Sequence, residues 1–143
     1  MAIANILLVD DEIPFLETMT KRLTKRDFAT ATASGASEAI KLLEKNSDTE
    51  VVILDVKMPE MDGLSALKII RQRFPLVEVI MLTGHATIES AIEGMKLGAF
   101  DYLMKPCDME QLVSKVSEAA TKRRRHKDKI VEAELKKITS SRI

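Results

Sequence analysis

The feature that most constrains this chain is a rhythm of short apolar runs separated by longer stretches of helical spacing. The runs are ILLV (residues 6–9), FATATA (28–33), VVIL (51–54), VEVIML (77–82) and YLM (102–104). Such alternation is the pattern of repeated strand–helix units, which build a parallel sheet. The first, third and fourth runs are almost wholly apolar, as strands become when helices cover both faces. The second alternates alanine with larger or hydroxyl residues and reads as more peripheral. Between the runs, Pro14 suits a first helical turn, with Phe15, Met19 and Leu23 repeating behind it. A short helix over 37–45 turns Ala39, Leu42 and Leu43 inward. Asp62-Gly63 opens a third helix with Leu64, Leu67, Ile70 and Phe74, and Pro75 stops it. A fourth runs over 87–97, weakened by Gly94 and closed by Gly98. Asp108 caps a fifth, which carries Leu112, Val116 and Ala119 and continues into a basic tail.

Five strands and five helices account for the first 121 residues, so the expected organisation is one domain over residues 1–121 and a helical tail over 122–143. With aromatics at only 3% of residues, the core must be built from aliphatic side chains and methionine. No apolar run approaches the ~20 residues needed to cross a membrane, and the start meets acidic residues too soon for a secretory signal. Cys107, the single cysteine, has no partner for a disulfide or a metal site. These features point to a reducing, cytoplasmic setting. The zero net charge hides a split. From Lys122 onward there are nine Lys/Arg against three Asp/Glu, leaving thirteen against nineteen in the body. The chain is therefore an acidic body with a basic tail.

Ligands of open parallel sheets bind beyond the carboxyl ends of the strands. The first run ends in Asp10-Asp11-Glu12, the third in Asp55, the fourth in Thr83-Gly84-His85 and the fifth in Lys105-Pro106. Taken singly, each is an ordinary cap or turn residue. Together they bring three carboxylates to one edge, which repel unless a cation sits among them. Oxygen ligands in small number suit Mg²⁺. Lys105 and Thr83 have work there only if an anion also visits. Metal, anion and carboxylate nucleophile together point to phosphoryl transfer onto an aspartate.

The segments ILLVDDE, VILDVKMPEMDG, VIMLTGHA and GAFDYLMKP resemble the four signature stretches of response-regulator receiver domains in two-component signal transduction. The resemblance covers about residues 4–121. It implies an α/β fold, a doubly wound five-stranded parallel sheet of order 2-1-3-4-5, flavodoxin-like, with an extended C-terminal helix. It implies Asp55 as phosphoacceptor, and Mg²⁺ held by Asp10, Asp11, Asp55 and the Lys57 carbonyl. Lys105 would pair with the phosphoryl oxygens, through a cis bond to Pro106. Thr83 and Tyr102 would form the switch, and Lys57 and His85 would flank the hydrolytic water. Such a protein is no dedicated enzyme. It takes its phosphoryl group from a histidine kinase or phosphotransfer protein, catalyses its own phosphorylation and dephosphorylation, and signals through helix four, strand five and helix five.

In the tail, Val131, Leu135 and Ile138 are spaced by four and three. This reads as a seam for a homodimer or for docking, as the stub of a lost output domain, or as a solvated terminal helix. No helix-turn-helix and no stacking aromatics follow, so direct nucleic-acid binding is not expected. An Mg²⁺-dependent aspartyl-phosphate hydrolase of the dehalogenase-like kind would carry an acid where Lys57 stands. A flavin or nucleotide carrier would need a phosphate-cradling loop in place of Asp10-Asp11-Glu12. A receiver-like module working without phosphate would not need the intact acidic set.

Overall fold

The computed structural model describes residues 3–140; the last three residues of the expected tail lie outside them. Strands and helices alternate as β1 (Asn5–Val9), α1 (Ile13–Lys25), β2 (Ala29–Ala33), α2 (Ala36–Lys45), β3 (Val51–Leu54), α3 (Gly63–Arg73), β4 (Glu78–Thr83), α4 (Ile88–Lys96), β5 (Asp101–Met104) and α5 (Met109–Ser140). All pairings are parallel, in the order β2-β1-β3-β4-β5. The fold is the doubly wound one that the resemblance implies.

Period-two alternation divides each strand between two layers. Ile6, Leu8, Ile53, Ile80 and Leu82 pack against Leu16, Met19 and Leu23 of α1 and Leu112, Val116 and Ala119 of α5. Leu7, Val9, Val52, Leu54 and Met81 pack against Ala39 and Leu43 of α2 and Ala66, Leu67 and Ile70 of α3. Leu67 and Leu112 are wholly buried, so truncating either to alanine costs about 2–5 kcal/mol.

Element ends follow local hydrogen bonding. Asp62 caps α3, its carboxylate accepting from the Ser65 N–H at 2.8 Å. Thr87 and Ser90 form a reciprocal capping box on α4. Asp108 accepts from the Glu110 N–H at 3.1 Å, opening α5. Phe28 and Val77 are buried but lie outside their strands, because their N–H groups bond to Leu23 O and Phe74 O. In the first turn of α1 the buried residue is Leu16, ahead of Met19 and Leu23, while Phe15 lies at the margin. The helix α5 runs without a break through residue 122.

The register sets the site. Val9 pairs with Leu54 and Leu54 with Met81, so the chain leaves β1 and β3 at one level, while β4 runs two residues further to Thr83, beside Met104. The Asp55 N–H bonds to Val9 O at 3.1 Å, and the Lys105 N–H bonds to Thr83 O at 2.9 Å.

Candidate functional site

Asp10, Asp55 and Thr83 are 1%, 2% and 0% exposed, while Asp11 is open to solvent. Asp10, Asp11 and Asp55 each present a carboxylate oxygen, and these three atoms lie within 4.8 Å of one another. Lys105 reaches into the group from the end of β5. Its ammonium is 2.6 Å from Asp10 Oδ2, 3.2 Å from Glu12 Oε1 and 3.7 Å from Asp55 Oδ2. The Phe15 ring lies beneath it, 4.0 Å from Nζ to centroid. The Lys105–Pro106 peptide bond is cis.

Charge in this group does not balance. Among the described residues, Asp10, Glu12 and Asp55 lie against one lysine, and Asp11 adds a fourth carboxylate to the group. Burial holds the Asp10 carboxyl above its ordinary range, and the charge of Asp55 pushes the same way. The hydrogen bonds from Lys105 and from the Glu12 N–H do not fully offset this. Burial alone would lower the Lys105 ammonium, but its hydrogen bond to Asp10 and the charges around it hold it above its usual value. Asp55 Oδ1 is buried, with no hydrogen-bond partner among the described residues. An orphaned carboxylate oxygen in an under-neutralised group of oxygen donors is what a small hard cation fits.

Around this centre, Thr83 Oγ1 accepts from the His85 N–H at 3.0 Å, and the His85 side chain is exposed. Lys57 is exposed in the loop after β3. That loop is held tightly against the sheet, since a Cβ on Gly63 would stand 2.0 Å from Asp55 O. Tyr102 sits between β5 and α4, its hydroxyl 2.6 Å from Ser90 Oγ. Glu12, Phe15 and Ser90 take places around this centre that their sequence positions do not assign them. For Glu12, its place in the Asp10-Asp11-Glu12 run was the available signal, whereas Phe15 and Ser90 carry none, since both look like ordinary helix residues.

The model of the response regulator receiver domain matches residues 6–117. The chain belongs to that family. This receiver is 32% identical over 123 residues to the DNA-binding transcriptional regulator NtrC of Proteus hauseri, covering 86% of this chain and 26% of that protein. It spans about a quarter of the length of the first curated relatives it matches. Its fold is similar to the CheY-like receiver domain protein of Methanospirillum hungatei, with TM-score 0.81 and 27% identity over 86% of this chain and 98% of the other. A response regulator of Burkholderia pseudomallei, with a phosphorylated aspartic acid, calcium ion and citrate, is also similar. There the TM-score is 0.75 and the identity 28%, over 87% and 72% of the two chains. Among the described residues of this receiver, no helix is long and apolar enough to cross a membrane.

Proposed function

We propose that Asp55 is the phosphoacceptor of a two-component pathway and that its phosphorylation controls a protein-binding surface. The observation that carries this is the Asp55 carboxylate itself. Oδ1 is buried and unpartnered, Oδ2 stands 3.7 Å from the Lys105 ammonium, and two further aspartates lie alongside. The phosphorylated aspartic acid and calcium ion of the similar Burkholderia pseudomallei protein support the same chemistry.

Asp10, Asp11 and Asp55, with the Lys57 carbonyl, would hold Mg²⁺, which when bound polarises phosphoryl oxygens and neutralises their charge. An Asp55 oxygen attacks the phosphorus of a kinase phosphohistidine in line. The O–P bond forms as the P–N bond breaks, and the imidazole leaves with the electron pair. Lys105 neutralises charge on the transferring group. Thr83 turns its hydroxyl to donate to a phosphoryl oxygen. Water attacking the acyl phosphate later returns the carboxylate and inorganic phosphate, with Lys57 and His85 beside its approach.

The new charge biases two arrangements of the β4–α4 region, with Tyr102 moving in response to Thr83. Ile88, Ile92 and Met95 of α4 and Met104 of β5 are exposed there and form the docking face for a downstream protein or an attached output domain. Cytoplasmic operation with a histidine kinase follows from this chemistry.

Acetyl phosphate with and without Mg²⁺, read by intact mass, tests the proposal. A Mg²⁺-dependent phosphate adduct is expected, and it should vanish in Asp55→Asn. Survival of the same adduct in that variant would remove Asp55 from its role. Steady turnover without an adduct would favour a hydrolase.

A further inference from the structure

The free edge of the sheet at β2 is unprotected. Its segment ATATA (29–33) pairs with β1 in an unbroken register and holds no charge and no proline, so the usual devices that blunt an edge strand are missing. Ala29, Ala31 and Thr32 are exposed although helices lie over both faces of the sheet. The β1–β2 ladder decides which backbone groups are left over. The Ala29 N–H donates to Ala4 O at 3.0 Å and Ala33 O accepts from the Asp10 N–H at 3.1 Å, so the odd-numbered residues turn their backbone groups to β1. Those of Thr30 and Thr32 therefore point to the free edge, where no further strand follows among the described residues.

Beside this edge runs a groove of about 550 Å³, bordered by Ile13, Glu17, Thr20 and Lys21 of α1 and by Thr30 and Thr32 of β2. Ile13 is half exposed to it. We propose that a second copy of this chain lays its own β2 antiparallel along this one, continuing the sheet from one copy into the other.

Three features select this occupant. The first is the sequence itself, since Ala-Thr-Ala-Thr-Ala reads the same in both directions. An antiparallel pair about a two-fold axis at Ala31 matches alanine with alanine and threonine with threonine, the self-complementarity that an isologous interface requires. The second is the backbone. In that register Thr30 of each copy lies opposite Thr32 of the other, and these are the residues with free groups, so each pair exchanges both of its N–H···O bonds. Threonines opposed in this way also match favourably by side chain. Ala31 meets its own copy at the close, non-bonded position, about 4.5 Å between Cα atoms, where a methyl side chain fits. The third is charge. The same axis sets α1 antiparallel to α1 of the second copy. Glu17 and Lys21, both exposed and without an ion pair among the described residues, then face the opposite charge across it. An unrelated extended peptide would bond the backbone but leave the palindrome and the charge pattern unmatched. The contact is small, so the dimer is of the weak, reversible class.

Sedimentation equilibrium of the full chain over a wide concentration range, without phosphoryl donor, tests the proposal independently of the Asp55 chemistry. A reversible dimer is expected. Ala31→Lys, which opposes two charges at the axis, should weaken it roughly tenfold or more. Thr32→Pro should do the same, because it removes an outward N–H and no bond to β1. In a Cys107→Ser background, Ala31→Cys should form a disulfide-linked dimer on oxidation, since opposed Cα atoms about 4.5 Å apart suit a disulfide. Ala29→Cys should not, because antiparallel pairing holds its two copies about 13 Å apart. A chain that stays monomeric throughout, with no cross-link from Ala31→Cys, overturns the proposal. So does a dimer of unchanged affinity in both edge variants, and so does equal cross-linking from Ala29→Cys. Circular dichroism of each variant checks that the body remains folded.

Discussion

The hydroxyl of Tyr102 lies 2.6 Å from Oγ of Ser90, joining β5 to the first turn of α4. Ser90 Oγ also accepts from the Thr87 N–H at 3.0 Å and donates to Thr87 O at 3.1 Å, which leaves the phenol as the donor in the Tyr102 pair. One turn further on, Gly94 makes room for the ring, since a Cβ there would come within 3.3 Å of Tyr102 Cδ2. The ring is therefore tied to the same turn that caps α4, and that turn follows the loop leaving Thr83. Ser90→Ala should destabilise the fold by about 1–2 kcal/mol, losing the phenol bond and half of the capping box. Tyr102→Phe removes only the phenol and should cost less. Because both remove one shared bond, the double variant should cost less than the two added together. Urea unfolding of the four proteins measures this, and strict additivity would contradict the shared bond. Tyr102 is the sole tyrosine and tryptophan is absent, so tyrosine emission follows this ring alone and should change in Ser90→Ala.

Gly63 and Asp55 meet through the backbone. A methyl group at position 63 cannot fit 2.0 Å from Asp55 O and 2.7 Å from Val56 Cα. Since both neighbours are main chain, either α3 or the acceptor loop must shift. Gly63→Ala should cost about 1–3 kcal/mol, as overpacking does. It should also slow phosphorylation of Asp55 more than the loss of stability explains. An unchanged labelling rate in folded Gly63→Ala would show that the loop does not position the acceptor.

What the sequence made legible was which side chains gather at the strand ends, because Asp10, Asp55, Thr83 and Lys105 each end an apolar run that sets their direction. Apolar spacing reports burial more faithfully than backbone state, so Phe28 and Val77 read as strand although their N–H groups close the preceding helical turns. Of the expected α1 stripe, Met19 and Leu23 lie in the core, while at its first turn Leu16 takes the buried place and Phe15 is only partly covered. That displaced Phe15 proves to support the Lys105 ammonium. Long-range polar contacts left no local trace. Glu50 and Arg124 stand 74 residues apart, and each alone has the look of a solvated charge, so the start of the basic tail could not be assigned to its own body.

Among the described residues, Lys105 is the one cation paired with Asp10, Glu12 and Asp55. Lys105→Met keeps much of the apolar stem but removes its charge. The remaining carboxylates then attract a divalent cation more strongly, so Mg²⁺ binding should tighten. Phosphorylation by acetyl phosphate should slow by one to two orders of magnitude, because charge on the transferring group loses its partner. Calorimetric Mg²⁺ titration beside the mass assay separates the two effects. Weaker Mg²⁺ binding in the variant would contradict the charge argument.

Glu50, buried at the start of β3, accepts from Arg124 Nε at 2.6 Å, and this clamp on α5 should give the receiver a particular response to acid. Burial alone would raise the Glu50 carboxyl, but the Arg124 guanidinium and the Asn5 N–H bonded to it bring it below its ordinary value of 4.5. A carboxylate depressed by folding contributes stability that is fully present above its unfolded pKa and is lost as pH falls through the folded value. The Glu50 contribution is therefore complete above about pH 4.5 and disappears below it. Other carboxylates titrate nearby, so the informative quantity is the difference between wild type and Glu50→Gln. That difference should be constant at neutral pH and shrink towards zero as the solution is acidified below pH 4.5. Arg124→Met should be worse at neutral pH than Glu50→Gln, because it leaves Glu50 charged and buried without its partner, at a cost of about 1–3 kcal/mol. Denaturation midpoints across pH 3–7, with hydrogen exchange over residues 125–139, would read both effects. A Glu50→Gln curve parallel to wild type throughout would mean that the pair does not hold the helix.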